Sequence, residues 1–131
     1  LKKQIIRKEG VLRMINYSKN GNELIINNTL VKFNYPIYKV VEFNGLLIVL
    51  LEFKNSDNPK DFYNAVYAIS DTGDIVWQME DVKRVLGTFE PDPLVNLAVS
   101  DNNLIAVDFC SRKYILNPNN GMIQNVQTGR W

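Results

Sequence analysis

The chain has 131 residues, 46% of them hydrophobic, and its 15 basic and 14 acidic residues nearly cancel. This length and composition predict one folded domain with a buried core, and the charge balance favours neither a nucleic acid nor an anionic membrane as partner. Because the chain has no histidine, Ser–His–Asp and Cys–His catalysis and the common histidine-containing zinc sites are excluded.

The N-terminal half consists almost entirely of segments with strand-like composition, rich in branched and aromatic residues. The Asn44–Gly45 pair predicts a tight hairpin turn. The apolar run 46–51 that follows is too short to span a bilayer, which predicts a central strand covered on both faces. The strands predicted in this half are residues 4–9, 11–17, 23–27, 30–33, 37–43 and 46–53.

A polar segment rich in turn-forming residues, 54–61, separates the halves and predicts a loop. Residues 81–87 could form one short helix that Asp81 caps and Gly87 ends. The two prolines within 90–93 then predict a rigid connector. The strands predicted in this half are residues 64–70, 74–79, 95–99, 104–110, 113–116 and 122–126.

The chain contains an internal repeat. A strand beginning with Tyr, a polar turn closing on Gly and a return strand occur at 66–77 and again at 113–124. The repeat extends backwards, because Leu50-Leu51-Glu52-Phe53 matches Ala106-Val107-Asp108-Phe109. Residues 36–80 and 94–126 are therefore predicted to be two four-stranded antiparallel units, the first with about nine extra residues between its second and third strands.

Residues 67–77, Tyr-Ala-Ile-Ser-Asp-Thr-Gly-Asp-Ile-Val-Trp, resemble the repeat of quinoprotein-like (PQQ-type) β-propellers. The second copy fits at Tyr114, Leu116 and Gly121, but has no Trp at the position of Trp77. The resemblance implies blade-like sheets with Trp77 packed between blades, and it carries over no cofactor-binding or metal-binding residues. Since a propeller has at least four blades, two such units cannot close a ring.

The sequence therefore predicts an all-β protein: two blade-like four-stranded units plus N-terminal strands, in a compact sandwich-like, barrel-like or incomplete-propeller arrangement with at most one short helix. We expect a single domain over residues 1–131. Its parts are N-terminal strands at 1–35, a first repeat at 36–80, a connector at 81–93 and a second repeat at 94–131.

Two sets of residues are candidates for function. Glu52 and Asp108, which match in the repeat, could act as paired carboxylates of a hydrolase, or could be structural acids at strand ends. The insertion supplies the second set. Its Asp57 and Asp61 lack the spacing of a calcium loop, and its Phe62 and Tyr63 either form a binding surface or return to the core. The terminal Trp131 is a further candidate contact, so the predicted partner-binding residues are Asp57, Asp61, Phe62, Tyr63 and Trp131.

From elimination, we expect a non-catalytic module that binds another protein and uses no cofactor and no metal. One concrete version is a small bacterial immunity or inhibitor protein, since abundant Asn, Ile and Lys favour an AT-rich genome. The alternatives are a carboxylate-dependent hydrolase and a fragment or subunit of a larger propeller. A cytoplasmic location is expected, although a chain beginning with Leu leaves this open at its N-terminus.

Overall fold

The computed structural model describes residues 2–8, 11–54, 57–87 and 89–128, with side chains from residue 15 onwards except those of 59 and 60. The strands form three four-stranded antiparallel sheets, in each of which chain neighbours pair. The first sheet contains β1 (Lys2–Lys8), β2 (Val11–Asn20), β3 (Glu23–Ile26) and β4 (Thr29–Lys32). The second contains β5 (Ile37–Phe43), β6 (Leu46–Leu51), β7 (Val66–Ile69) and β8 (Ile75–Gln78). The third contains β9 (Leu94–Ser100), β10 (Asn103–Asp108), β11 (Lys113–Leu116) and β12 (Ile123–Gln127).

The predicted all-β architecture is confirmed, and the N-terminal strands form a complete sheet of their own. The single α-helix of the described residues, α1 (Lys83–Leu86), lies inside the predicted 81–87 segment. Asp81 Oδ1 accepts a hydrogen bond from the Lys83 backbone N–H at 2.8 Å, and Gly87 ends the helix with a φ of 62°. Among the described residues, no helix has the length and apolarity needed to cross a membrane.

The second sheet is the middle layer. Tyr67 on β7 packs against Phe33, which follows β4, with ring centroids 5.3 Å apart. The next residue, Ala68, points to the opposite face and pairs with Trp77 on β8, whose Nε1 donates to the Pro118 carbonyl of the third sheet at 2.9 Å. Both faces of the second sheet are thus covered, which explains why Leu47–Leu51 on its central strand β6 are all buried.

The contact between the second and third sheets depends on a glycine. Gly121, in the turn between β11 and β12, has a φ of 75°, and a Cβ atom there would lie 2.4 Å from the Trp77 ring. Only glycine allows both this backbone conformation and this approach. The first and second sheets are joined by a hydrogen bond between their turns, in which Asn27 Nδ2 donates to the Asp71 carbonyl at 3.0 Å.

The second and third sheets have β-bulges at equivalent positions. Between the first and second strands of each sheet the pairing skips one residue, Tyr38 in β5 and Val95 in β9. A second skip follows between the third and fourth strands, at Val76 and Gln124. Counting from these bulges places Tyr67 and Tyr114 at equivalent positions, as the repeat predicts.

The same register corrects one detail of the predicted repeat. Leu51 pairs with Ile37, and Asp108 pairs with Leu94, so Leu51 and Asp108 are the equivalent residues. Glu52 therefore corresponds to Phe109, one residue beyond the strand, and Glu52 and Asp108 do not match. The sequence alignment was wrong by one position here because it followed the similar letters rather than the hydrogen-bonded pairs.

Candidate interaction surface

The equivalent bulges of the second and third sheets shape one surface. A bulge adds a residue that has no partner across the strand pair and redirects its side chain. The two extra residues, Tyr38 and Val95, are 51% and 41% exposed, and both line the same groove between the two sheets. The duplicated irregularity therefore builds a feature that neither sheet would form alone.

This groove has a volume of about 340 Å³, within the range of small-ligand and side-chain pockets. Its floor contains the buried side chains of Leu50, Leu51 and Leu94. The other lining residues are Tyr38, Glu52, Phe53, Pro93 and Val95. Among the described residues that line the groove, Glu52 alone is charged. It is exposed, and its carboxylate makes no hydrogen bond or ion pair with any of them or with any other described residue.

The long connection between β6 and β7, residues 52–65, forms the adjoining surface. Its three aromatic residues and one that follows β4 form a chain of ring contacts, with centroids 4.5 Å apart for Tyr35–Phe53, 4.8 Å for Phe53–Phe62 and 6.4 Å for Phe62–Tyr63. We call Tyr35, Phe53, Phe62 and Tyr63 the aromatic cluster. All four are half-buried, so they pack on the body while part of each ring faces solvent. Because Phe53 also lines the groove, cluster and groove are continuous.

The two predicted acids of the insertion hold it in place. Asp61 accepts a hydrogen bond from the Tyr35 hydroxyl at 2.7 Å, and this bond raises the pKa of Tyr35. Asp57 Oδ2 accepts from the Lys54 backbone N–H at 2.6 Å, closing a turn at the start of the connection. No group of three or more His, Cys, Asp or Glu residues in the described ranges could hold a metal ion.

Asp108 has a structural environment. It is 1% exposed, and its carboxylate accepts from the Cys110 and Arg112 backbone N–H groups, the Arg112 guanidinium and the Tyr114 hydroxyl. The bond from Tyr114 is 2.8 Å long, and burial, with this bond, raises the pKa of that tyrosine. Arg112 also forms an ion pair with Asp92 at 3.4 Å. Each carboxylate oxygen of Asp108 therefore accepts two hydrogen bonds from the protein.

The structure brings some of the predicted residues together and separates others. Asp57, Asp61, Phe62 and Tyr63 lie on the same connection, 52–65, whose Phe53 lines the groove. Trp131 lies outside the described residues. Glu52 lies on the rim of the groove, whereas Asp108 is not among the residues that line it.

Sequence reasoning missed Tyr38, Val95 and two exposed aromatic residues, Phe89 and Phe109, which are 71% and 75% exposed. Phe109 was assigned to a strand over 104–110, but β10 ends at Asp108. The Phe109 backbone N–H donates to the carbonyl of Pro93, a groove residue, at 2.9 Å. The irregular alternation of residues 37–43 was the only sequence signal of the first bulge.

Comparison with known proteins identifies a family but no activity. A family model described as a domain of unknown function, DUF7957, matches residues 14–128. The match includes the second and third sheets, the insertion and the groove. No curated protein matches the chain.

Proposed function

We propose that this protein, which belongs to the DUF7957 family, is a non-catalytic module that binds another protein through the aromatic cluster and the adjoining groove. The observation that carries the proposal is the continuity of these two features around Phe53. Together they present partly exposed rings beside an apolar depression. Aromatic side chains of this kind are enriched at protein interfaces and supply much of their binding energy.

The preorganised state of the loop supports this function. The cluster is held by ring contacts and by the Tyr35–Asp61 hydrogen bond, although three of its four rings lie on a connection of 14 residues. Immobilising a side chain on binding costs free energy, so rings that are already fixed bind with less loss of entropy. The third sheet makes the same connection with only four residues, which shows that the framework does not require the longer one.

The specific version of the proposal is a small bacterial immunity or inhibitor protein that acts in the cytoplasm by covering a toxin or enzyme. Its support is the continuous surface formed by the aromatic cluster and the groove, which is suited to stoichiometric binding. This version requires a 1:1 complex that suppresses the partner's activity.

The hydrolase alternative needs two carboxylates that face one substrate. Glu52 is available on the groove rim, but the second carboxylate, Asp108, is buried and accepts four hydrogen bonds. A general acid or base must be able to reach the substrate. The environment of Asp108 therefore favours the binding module over the hydrolase.

The propeller alternative is supported by a different observation. The face of the second sheet with Ile48, Leu50 and Ala68 packs towards the third sheet, and the equivalent face of the third sheet carries Ile105, Val107 and Ile115. These three side chains are only half-buried. A subunit of a larger propeller would cover this face with a further sheet. Light scattering of the purified chain tests this alternative, which requires an assembly larger than the monomer.

The test of the proposed function uses two double variants of tagged protein in lysate of the source cells. Phe62→Ser with Tyr63→Ser removes exposed ring area from the cluster. Ile25→Ser with Leu30→Ser is the control, since it removes exposed apolar area from the outer face of the first sheet, where these side chains are 43% and 56% exposed. We expect a partner that is retained in 1:1 ratio by wild type and by the Ile25/Leu30 variant, and lost with the Phe62/Tyr63 variant. Equal retention by both variants, or no stoichiometric partner for folded wild type, would reject the function.

A further inference from the structure

The groove beside the aromatic cluster combines an apolar floor with one carboxylate at its rim, that of Glu52, which pairs with no residue in the part of the chain that the structure describes. We propose that it receives a lysine or arginine side chain of the partner, with the aliphatic part of that side chain on the floor and its charged end at Glu52. This inference rests on the proposed function and identifies the chemistry that the groove recognises.

The floor and walls favour an aliphatic stem. Leu50, Leu51 and Leu94 have apolar side chains and are at most 4% exposed, and Tyr38 and Val95 form half-exposed walls beside them. Lysine and arginine bury their methylene groups against such surfaces while the charged head stays at the solvent boundary. A volume of about 340 Å³ accommodates one such side chain together with a neighbouring apolar group.

The charges around the groove favour a cation over an anion. Glu52 carries the only charge among the described lining residues and has no ion pair with any residue of the described ranges. Two cations on the neighbouring strands and turn are engaged elsewhere, because Lys39 Nζ donates to Asn96 at 3.2 Å and Arg112 pairs with Asp92 and Asp108. The exposed Lys54 forms no ion pair with Glu52 in the described structure. An incoming ammonium or guanidinium group would therefore meet a free carboxylate next to a low-polarity wall, where charge pairs are stronger than in bulk water.

Three six-carbon probes separate the contribution of the aliphatic stem from that of the positive charge. They are n-hexylammonium, n-hexanol and hexanoate, each titrated into ¹⁵N-labelled protein and followed by NMR. We expect saturable shifts from hexylammonium at the backbone amides of Tyr38, Phe53 and Val95, weaker ones from hexanol and the weakest from hexanoate. Absence of saturable shifts at these amides, or equal binding of hexanoate, would overturn the proposal.

Matched variants assign the effect to the carboxylate. Glu52→Gln keeps the shape and should lower the affinity for hexylammonium about fivefold, as for a partly exposed ion pair, with no change for hexanol. Asp101→Asn makes the same change of net charge in an exposed turn outside the groove and should leave both affinities unchanged. Tyr38→Ser, at an exposed wall position, should weaken hexylammonium and hexanol alike. An unchanged hexylammonium affinity in Glu52→Gln would also overturn the proposal.

The probe titrations and the test of the proposed function can fail separately. If the probes fail to bind and the Phe62/Tyr63 variant still loses a stoichiometric partner, the groove proposal alone is rejected. If the probes bind as expected and no partner is found, the groove recognises cations but the interaction function is rejected.

Discussion

The second and third sheets have the same framework but different structures at the end where β6 leads to β7 and β10 leads to β11. In the third sheet, the buried Asp108 ties a connection of four residues, 109–112, to the sheet. In the second, the equivalent residue is the apolar Leu51, and the connection extends over 14 residues, 52–65. One repeat thus uses this end for a closed polar network and the other for an aromatic surface. The comparison shows how a duplicated framework can keep its register while one copy acquires a surface suited to binding.

The largest expected effect comes from breaking the polar network of the third sheet. Asp108→Ala would leave the fully buried Tyr114 hydroxyl without its acceptor and would leave the Arg112 guanidinium with only its more exposed partner, Asp92, as a charged acceptor. Removing one partner of a buried charged pair costs about 3–5 kcal/mol, and urea unfolding measures this loss. Glu90→Ala, at an exposed acid, should change the free energy of unfolding by less than about 0.5 kcal/mol. A similar small loss for Asp108→Ala would show that the network does not stabilise the sheet.

The second largest effect on stability is expected at Gly121, where the second and third sheets meet. Gly121→Ala adds a Cβ against the Trp77 ring at a φ of 75°, whereas Gly21→Ala adds one at a φ of 59° with no atom within 4 Å. In both variants the left-handed conformation should lower the free energy of unfolding by about 1–2 kcal/mol. In Gly121→Ala, overpacking should lower it by about 1–3 kcal/mol more. Thermal and urea unfolding compare the two. Equal losses would mean that Trp77 moves aside at no cost.

Alkaline pH should weaken the network of the third sheet in particular. Burial raises the pKa of Tyr114 above its ordinary value of about 10, so the folded state holds its proton more tightly than the unfolded chain. The resulting stabilisation is complete below pH 10 or so, and is lost as the pH rises from there towards the folded-state pKa.

Urea unfolding across this pH range measures the effect. Tyr114→Phe should lower the free energy of unfolding by about 1–2 kcal/mol at neutral pH and should reduce its fall above pH 10 or so. Tyr67, whose pKa burial also raises, accounts for part of the remaining fall. If the free energy of unfolding of Tyr114→Phe fell with pH as steeply as that of wild type, this would contradict the role assigned to the buried hydroxyl of Tyr114.

The smallest effect concerns the insertion itself. Tyr35→Phe removes the hydrogen bond to Asp61 but keeps the ring contact with Phe53. Because the bond is exposed, we expect a loss of about 0.5 kcal/mol in global stability. Hydrogen exchange should instead become faster at the Asp61 amide, which donates to the Asn58 carbonyl within the loop. Unchanged exchange there would mean that ring packing alone orders the connection.

The sequence predicts the framework well because strand composition, turn dipeptides and the Tyr–Gly repeat are local signals. It predicts the location of the insertion for the same reason. The burial of Asp108 could not be predicted, because it depends on Arg112 and Tyr114 across the turn. The groove could not be predicted either, because a bulge such as the one at Tyr38 appears in a sequence only as irregular alternation.

The central claim is that the aromatic cluster, rather than the shared framework, binds the partner. Isothermal titration of the captured partner with purified wild type, the Phe62→Ser/Tyr63→Ser variant and the Ile25→Ser/Leu30→Ser variant tests it most directly. Loss of two interface anchors should weaken the Phe62/Tyr63 variant by at least about 2 kcal/mol, or roughly 30-fold in Kd, with 1:1 binding and wild-type affinity for the Ile25/Leu30 variant. Wild-type affinity for the Phe62/Tyr63 variant would contradict the claim.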